Sequence, residues 1–229
     1  MMNHKDCMKA LARHVTDRDI VLPVYSSAFE WLEARKSPLN YTAHGAMGLA
    51  SSHGLGLALG RPDRRVIVLD GDGSLLMNLG TLVTSAAVAP KNLYHFVCEN
   101  GTYEANGGHP TPNRGNVNFA GFARSAGHKN VHEFSDLKNF EQQIGSILTE
   151  TGPVFVHLKI ERCGPQERDY NRIHGPEVRQ AFKDALKADA APCKLVSMLK
   201  GMPCARRAAC ACSTAETASP KATPRAGLK

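Results

Sequence analysis

The chain of 229 residues is long enough for one domain of good size or two small ones. Its formal net charge of +7 suggests an acidic partner such as nucleic acid, but the charge is unevenly distributed. Residues 1–186 hold 20 Lys and Arg against 19 Asp and Glu, whereas residues 187–229 hold 8 against 2. The basic character therefore belongs to the C-terminal tail, and nothing in the body indicates nucleic-acid binding.

The tail, residues 187–229, is rich in Ala, Ser, Thr, Pro and Lys and has no aromatic residue, a composition typical of disorder. It also holds four of the seven cysteines, which leaves too few in the body for a disulfide framework. No stretch approaches the roughly 20 apolar residues that span a bilayer, and the N-terminus lacks the apolar segment of a secretion signal. We therefore predict a cytoplasmic protein without membrane association, with one domain over residues 1–186.

Three elements are predicted before residue 35. An amphipathic helix from Cys7 to His14 is followed by an apolar strand from Ile20 to Tyr25. Pro23 cannot donate a hydrogen bond to a neighbouring strand, which favours a position at the edge of the sheet. Ser26 comes directly after the strand and is suited to cap a helix that runs to about Ala34.

Glycines recur between residues 54 and 60. Their spacing superficially suggests a dinucleotide-binding fingerprint, but it is one residue too long, and the glycines lie inside a predicted helix. We therefore interpret this stretch as a helix of small residues that packs closely on a sheet.

The stretch from Val66 to Ser74 carries the strongest functional signal. An apolar strand leads into the turn Asp70-Gly71-Asp72-Gly73-Ser74, after which a helix is predicted from Ser74 to Ala89. Glycines lack a Cβ, so the backbone of the turn can approach an anion closely, and the free N–H groups at the start of a helix attract phosphate. The turn therefore predicts a phosphate site, with Asp72 as an oxygen ligand for Mg²⁺.

The next apolar strand, Leu93–Cys98, ends two residues before Asn100, a second oxygen ligand of the kind that Mg²⁺ accepts. A loop without a predicted element follows as far as Thr111, and long loops of this kind are usually functional or disordered.

The remaining elements alternate between helix and strand. Helices are predicted at residues 118–126, at residues 136–149 with Ser135 as a possible N-cap, and from Pro176 to about Leu186. One short strand is predicted to begin at Val131, and another is predicted over Val154–Ile160. This alternation predicts an α/β fold with a mainly parallel sheet.

The turn and the asparagine together resemble a known motif. Gly71-Asp72-Gly73, followed after 26 residues by Asn100, resembles the diphosphate-binding motif of thiamine diphosphate (ThDP) enzymes. The resemblance implies a three-layer αβα domain that holds ThDP through Mg²⁺. It implies Asp72 and Asn100 as side-chain ligands of the metal and Thr102 as a ligand through its backbone carbonyl. It places these further residues at the cofactor: Gly71, Gly73, Ser74 and Tyr103.

Two other segments resemble the same family. Residues 43–50 are similar to its Gly-Ser-Met-Gly segment, which implies that the carbonyl of Gly45 accepts a hydrogen bond from the cofactor's aminopyrimidine. Met47 would then support the cofactor in its bent form, because its adaptable side chain fills space under a ring. Ser26 would lie in a loop that contacts the diphosphate. An ordinary core role for Met47 and a helix cap at Ser26 stay open.

The loop after Asn100 narrows the resemblance to one group of enzymes within this family. Tyr103-Glu104 followed by residues 107–111 is similar to the sulfopyruvate and phosphonopyruvate decarboxylases, with His109 in place of a glutamine. This implies decarboxylation of a small acidic 2-oxo acid. His44, His109 and Glu104 are candidate catalytic residues that could donate protons near neutral pH, or they are ordinary loop residues. A carboligase related to acetolactate synthase and a non-catalytic ThDP-binding remnant are the alternatives.

Half of such an enzyme is missing from this chain. The family activates ThDP with a glutamate on a separate pyrimidine-binding domain, whereas the resemblance covers only residues 5–185 or so, all of them in the diphosphate-binding half. The chain is too short for both domains. The resemblance therefore implies a hetero-oligomer in which an alpha-type subunit supplies the pyrimidine-binding domain.

Overall fold

The structure, a computed structural model, describes residues 1–42, 47–164 and 169–188. All of these belong to one compact unit, Met1–Pro192. The tail predicted from residue 187 lies almost entirely outside the described residues, so its boundary and its disorder stay predictions. No helix in the described ranges is both long enough and apolar enough to cross a membrane.

Helices and strands alternate along the chain, as the sequence predicts. The described residues form seven strands: β1 Ile20–Pro23, β2 Val66–Gly71, β3 Leu93–Glu99, β4 Thr102–Tyr103, β5 His109–Pro110, β6 Asn130–Phe134 and β7 Val154–Lys159. They form nine α-helices: α1 His4–Ala12, α2 Tyr25–Ala34, α3 Ala50–Gly60, α4 Asp72–Leu76, α5 Gly80–Val88, α6 Phe119–Ser125, α7 Leu137–Ile147, α8 Asn171–His174 and α9 Pro176–Ala188.

Five strands form a central sheet in the order β1-β2-β3-β7-β6, and every pair in it is parallel. The parallel sheet that the sequence predicts is confirmed. Strand β1 is the first in this order, which agrees with the edge position expected from Pro23.

Both faces of the sheet are covered, which gives the three layers that were expected. Side chains alternate along β2: Ile67 and Leu69 pack with α1 and α7 on one face, whereas Val66 and Val68 pack with α3 on the other. The fit of α3 is close, because a Cβ at Gly54 would lie 2.2 Å from the side chain of Val68. The helix of small residues packed on a sheet is therefore confirmed.

The register of the sheet sets the position of the functional turn. Asp70 lies opposite Val97 and Gly71 lies opposite Cys98, so β2 and β3 end side by side. The residues that follow them, the Asp72 turn and Asn100, consequently emerge at the same edge. Parallel sheets bind their ligands at this carboxyl edge.

The single helix predicted over residues 74–89 is wrong. The chain forms two helices, α4 and α5, with a break between Leu76 and Gly80. In this break the side-chain amide of Asn78 donates to the carbonyl oxygen of Gly48 at 3.0 Å. Apolar periodicity continues through the break and hides it, whereas Gly80 is unfavourable inside a helix.

The loop after Asn100 has more structure than was predicted. Strands β4 and β5 pair in antiparallel fashion, and a short 3₁₀ turn, Glu104–Asn106, connects them with two glycines in left-handed conformation. The prediction of a loop without elements is therefore wrong.

The starts of three helices also differ from the predictions. The N-cap of α7 is Asp136, whose side chain accepts from the backbone N–H of Asn139, so Ser135 is not the cap. Ser26 lies inside the first turn of α2, whose N-cap is Val24, and so it is not a cap either. Helix α1 begins at His4, three residues before the predicted start.

Candidate active site

A cavity opens at the carboxyl edge of the sheet, where β1, β2 and β3 end. Most of the residues predicted at the cofactor or in catalysis line it: Ser26, Met47, Gly71, Asp72, Gly73, Ser74, Asn100, Thr102, Tyr103 and Glu104. His44 and Gly45 lie outside the described residues. His109 is exposed on β5 and does not line the cavity.

Asp72 is a buried acidic group in the cavity wall. Its side chain is only 2 % exposed, and its Oδ2 accepts a hydrogen bond from the backbone N–H of Gly101 at 2.8 Å. Burial raises the pKa of Asp72 to about 6, although hydrogen bonds from the backbone N–H groups of Gly73 and Gly101 partly offset this. The carboxylate therefore lies beside the loop that carries Asn100, in surroundings where a positive charge would stabilise it.

Asn100 is held by a tight local turn. Its Oδ1 accepts from the backbone N–H of Thr102 at 2.8 Å and from the Thr102 hydroxyl at 3.0 Å. Gly101 between them has φ of +70°, and a Cβ there would lie 2.7 Å from the side chain of Arg114. Backbone conformation and space both require glycine at this position.

The glycine turn is closed on one side by an aromatic ring. A Cβ at Gly73 would lie 2.4 Å from Cε1 of Tyr103, so the ring packs directly on the turn backbone. Ser74 accepts a hydrogen bond from the backbone N–H of Gly48 at 3.1 Å, which connects the turn to the segment before α3. The turn is thus fixed by neighbours that are distant in sequence.

A buried acidic residue, Asp70, holds the end of the strand that leads into the turn. Asp70, 1 % exposed, accepts from the backbone N–H of Gly71 at 2.9 Å and lies 3.3 Å from Nε2 of His95 on the neighbouring strand. These contacts hold the end of β2 in place before the turn begins.

Glu104 and His109 occupy different positions, although both were candidate catalytic residues. Glu104 lines the cavity, and its Oε1 accepts from the backbone N–H of Cys163 at 2.6 Å, which ties the hairpin to the segment after β7. His109 is exposed on β5 of the same hairpin, where it pairs with Tyr103 of β4.

Among the polar residues of the cavity wall, sequence reasoning missed three that carry no motif: His4, Tyr25 and Cys98. Tyr25 has φ of +48°, a strained value for a residue with a side chain, at the sharp turn from β1 into α2. His4 comes from the first helix and lies 3.4 Å from the Ser27 hydroxyl. Burial lowers the pKa of His4 to about 4, so this imidazole is neutral at pH 7.

The cavity can therefore offer a carboxylate, an amide oxygen and a backbone turn that suit a metal-bound diphosphate. The family model of the thiamine pyrophosphate enzymes, C-terminal TPP binding domain, matches residues 22–158. The chain belongs to the thiamine pyrophosphate enzymes. The matched range includes all of the predicted ThDP-binding residues, and thiamine diphosphate is the cofactor that this domain binds.

Similar proteins fall into two groups by length. The sulfopyruvate decarboxylase subunit beta of Methanothermobacter thermautotrophicus is 38% identical over 161 residues, which cover 70% of this chain and 83% of that subunit. The phosphonopyruvate decarboxylase of Streptomyces viridochromogenes is 43% identical over 139 residues, which cover 61% of this chain but only 34% of that enzyme. The match thus spans most of a subunit in one case and about a third of an enzyme in the other.

A solved structure agrees on the fold. An X-ray structure of a putative thiamin diphosphate-dependent enzyme from Mycobacterium smegmatis matches with a TM-score of 0.59 at 19% identity, over 70% of this chain and 32% of the other. The α/β fold expected from the alternating elements is confirmed by this likeness and by the parallel sheet.

Proposed function

We propose that this chain is the diphosphate-binding subunit of a split, ThDP- and Mg²⁺-dependent decarboxylase that acts on a small acidic 2-oxo acid such as sulfopyruvate or phosphonopyruvate. The observation that carries the proposal is the contact between the buried carboxylate of Asp72 and the backbone of Gly101, next to Asn100. The names of the relatives support the substrate class.

The donor set fits Mg²⁺. Asp72, Asn100 and the backbone carbonyl of Thr102 would supply three oxygen ligands, and diphosphate and water would complete a near-octahedral shell. Among residues 1–42, 47–164 and 169–188, no group of three His, Cys, Asp or Glu side chains could hold a metal ion. A site with one carboxylate therefore agrees with a cation that shares its ligands with a phosphate rather than with a zinc site.

The diphosphate would lie along the glycine turn. Gly71 to Ser74 line the cavity at the start of α4, where an anion is favoured. Ser26, in the first turn of α2, and Met47 line the same cavity, and Met47 would support the cofactor rings. Gly45, assigned to the aminopyrimidine, lies outside the described residues.

When bound, ThDP supplies an electron sink for the electron pair that remains when CO₂ leaves a 2-oxo acid. The residues of this chain would hold the diphosphate and the cation. We retain His44 and His109 as candidate proton donors, because imidazole is a side chain that often transfers protons in enzymes. For Glu104 the contact with Cys163 favours a structural role in holding the hairpin.

The partner is proposed to be an alpha-type subunit that carries the pyrimidine-binding domain and the activating glutamate. The relative that this chain covers to 83% is named as a subunit, whereas about two thirds of the phosphonopyruvate decarboxylase lies outside the match. A separate chain that carries the rest of the enzyme would account for both the 83% and the 34% coverage.

Reconstitution tests the proposal. The isolated chain should bind ThDP–Mg²⁺ weakly and release no CO₂, and addition of the alpha-type subunit should give decarboxylation of sulfopyruvate or phosphonopyruvate, measured as CO₂ release. Robust turnover by the isolated chain would contradict the split site. Acetolactate formed from pyruvate by the complex would instead favour the carboligase, and ThDP binding without any turnover in the complex would favour the remnant.

A further inference from the structure

A buried histidine lies between two glutamates near the carboxyl ends of β3, β6 and β7. His157 on β7 is 0% exposed, and its Nε2 lies 2.7 Å from Oε2 of Glu99 on β3. Its Nδ1 lies 3.0 Å from Oε2 of Glu133 on β6. Lys159 contacts the other oxygen of Glu133 at 3.2 Å. Polar groups are costly to bury unless they are hydrogen-bonded, and these contacts satisfy the imidazole on both sides.

The register of the sheet brings these side chains together. His157 pairs with Val97 on β3 and with Glu133 on β6. Residues two apart on a strand share a face of the sheet, so Glu99 lies on the same face as Val97 and reaches the imidazole from there. The ring of Phe119 on α6 lies 5.5 Å from the imidazole, measured between centroids. Strand pairing and α6 therefore fix the contact between Glu99 and His157.

Glu99 directly precedes Asn100 but does not line the cofactor cavity, whereas both of its neighbours, Cys98 and Asn100, line it. Its side chain is directed to β7 instead and is not offered as a ligand of the cation. The backbone carbonyl of Glu99 also accepts a hydrogen bond from the backbone N–H of Ile160 at 2.9 Å. The side chain and the backbone of Glu99 are thus both held from the direction of β7.

The residues after Glu99 connect this anchor to Asp72. The backbone N–H of Gly101 donates to Oδ2 of Asp72 at 2.8 Å, and Oδ1 of Asn100 accepts from the backbone N–H of Thr102 at 2.8 Å. A shift of Glu99 would move Asn100 relative to Asp72, although both side chains must reach one cation. Residues that orient metal ligands typically contribute about 10- to 100-fold to metal affinity.

We propose that Glu99 is a positioning residue for the metal site. Its carboxylate, held by His157, fixes the direction in which Asn100 leaves β3, so that the oxygens of Asn100 and Asp72 meet the same Mg²⁺. This inference rests on the proposed function, because Asn100 is a metal ligand only if the chain binds ThDP–Mg²⁺. His157 acts on Glu99, and Glu99 acts on Asn100.

Two substitutions of Glu99 test the positioning role in the full chain. Glu99→Leu removes both carboxylate oxygens, whereas Glu99→Gln keeps an oxygen that can accept from His157 and removes only the charge. Glu99→Leu should raise the Mg²⁺ concentration for half-maximal ThDP binding about tenfold or more, and Glu99→Gln should stay within about threefold of the wild type. Titration calorimetry with ThDP at a series of Mg²⁺ concentrations measures this.

Glu150→Leu is the matched control. It removes a carboxylate whose Oε2 lies 3.0 Å from Nε2 of His132, the same kind of contact, and neither of these residues lines the cofactor cavity. The Mg²⁺ dependence of ThDP binding should be unchanged in this variant. A loss equal to that of Glu99→Leu would show that any broken pair of histidine and glutamate weakens the site, and it would overturn the positioning role.

The outcomes separate the positioning role from the function. If the wild type binds ThDP–Mg²⁺ and Glu99→Leu shows the same Mg²⁺ dependence, the positioning role is wrong and the function stands. Equal weakening by Glu99→Leu and Glu99→Gln would assign the effect to the charge of Glu99 and would also overturn the positioning role. A wild-type chain that binds no ThDP at any Mg²⁺ concentration, alone or with the alpha-type subunit, overturns both proposals.

A measurement without cofactor examines the same contact. In the apo chain, the amide hydrogen of Gly101 should exchange about tenfold faster in Glu99→Leu than in the wild type, because the loop loses its anchor, whereas Glu99→Gln should exchange like the wild type. Exchange followed by NMR measures this, and equal rates in all three proteins would contradict the anchor.

A double variant tests the order of action. His157→Leu should weaken the Mg²⁺ dependence as Glu99→Leu does, and the variant with both changes should bind no worse than either single variant, because the two residues act through one contact. Additive losses would overturn the proposal that Glu99 acts through His157. Thermal melting checks that each variant folds. If Glu99→Leu melts well below the wild type, Glu99→Ala takes its place, because it removes the same oxygens and adds no bulk.

Discussion

At the scale of single residues, burial disfavours the ionised form of the Asp72 carboxyl group. Its folded-state pKa of about 6 lies above the ordinary value of 3.8, mainly because of burial. The folded apo chain therefore holds this proton more tightly than the unfolded chain does. Below about pH 4 the raised pKa stabilises the folded chain by roughly 3 kcal/mol. This stabilisation is lost as the pH rises through about 6. A cation beside the carboxylate would remove this penalty.

Asp72→Asn tests this explanation. Without metal, the variant should be more stable than the wild type at pH 7.5, by an amount that shrinks as the pH falls below about 6, because asparagine carries no charge to bury. With Mg²⁺ and ThDP, only the wild type should gain stability, and it should gain more at pH 7.5 than at pH 5. Thermal melting across pH measures both effects.

Asp184→Asn is the matched control, since this carboxylate is exposed on α9. It should leave the pH profile and the stabilisation by Mg²⁺ and ThDP unchanged. Equal stabilisation of Asp72→Asn and the wild type by the cofactor would rule out Asp72 as a metal ligand.

At the scale of elements, the sequence located most helices and strands but not all of their ends. The apolar run of β2 and the amphipathic pattern of α7 follow from local periodicity, and both elements are found. In the break between α4 and α5, the side-chain amide of Asn78 donates to the carbonyl oxygen of Gly48, a contact across 30 residues. Local patterns contain no record of such contacts, so an uninterrupted helix was predicted.

The start of α7 gives a test at this scale. Asp136→Ala removes the side-chain oxygen that accepts from the backbone N–H of Asn139 at 2.9 Å, and it should cost about 1 kcal/mol of stability. Ser135→Ala, the cap expected from the sequence, should be close to neutral. Urea unfolding of the two variants measures the difference, and an equal loss in both would contradict the assignment of the cap.

At the scale of the whole molecule, the site is assembled from the ends of three neighbouring strands. Parallel pairing of β1, β2 and β3 brings Ser26, Asp72 and Asn100 into the wall of one cavity. The sequence motif named the last two. Only the fold adds His4, whose helix lies at the start of the chain, and shows that His109 lies outside the cavity.

The tail is expected to be dispensable for this assembly. The compact unit that contains the site ends at Pro192. A chain that ends at residue 192 should therefore melt within about 2 °C of the full chain and bind ThDP–Mg²⁺ with the same affinity. Calorimetry of both chains measures this, and a loss of cofactor binding in the short chain would assign the tail a part in the site.

The sequence by itself determined the family and the α/β order of elements, and it predicted Asp72, Asn100 and the glycine turn as the site. It could do so because a phosphate turn and a hard-cation site need particular residue types at a particular spacing. The tertiary structure alone decided which side chains share the cavity and how far burial raises the pKa of Asp72. These properties depend on contacts between residues far apart in the chain, and such contacts exist only after the sheet has formed.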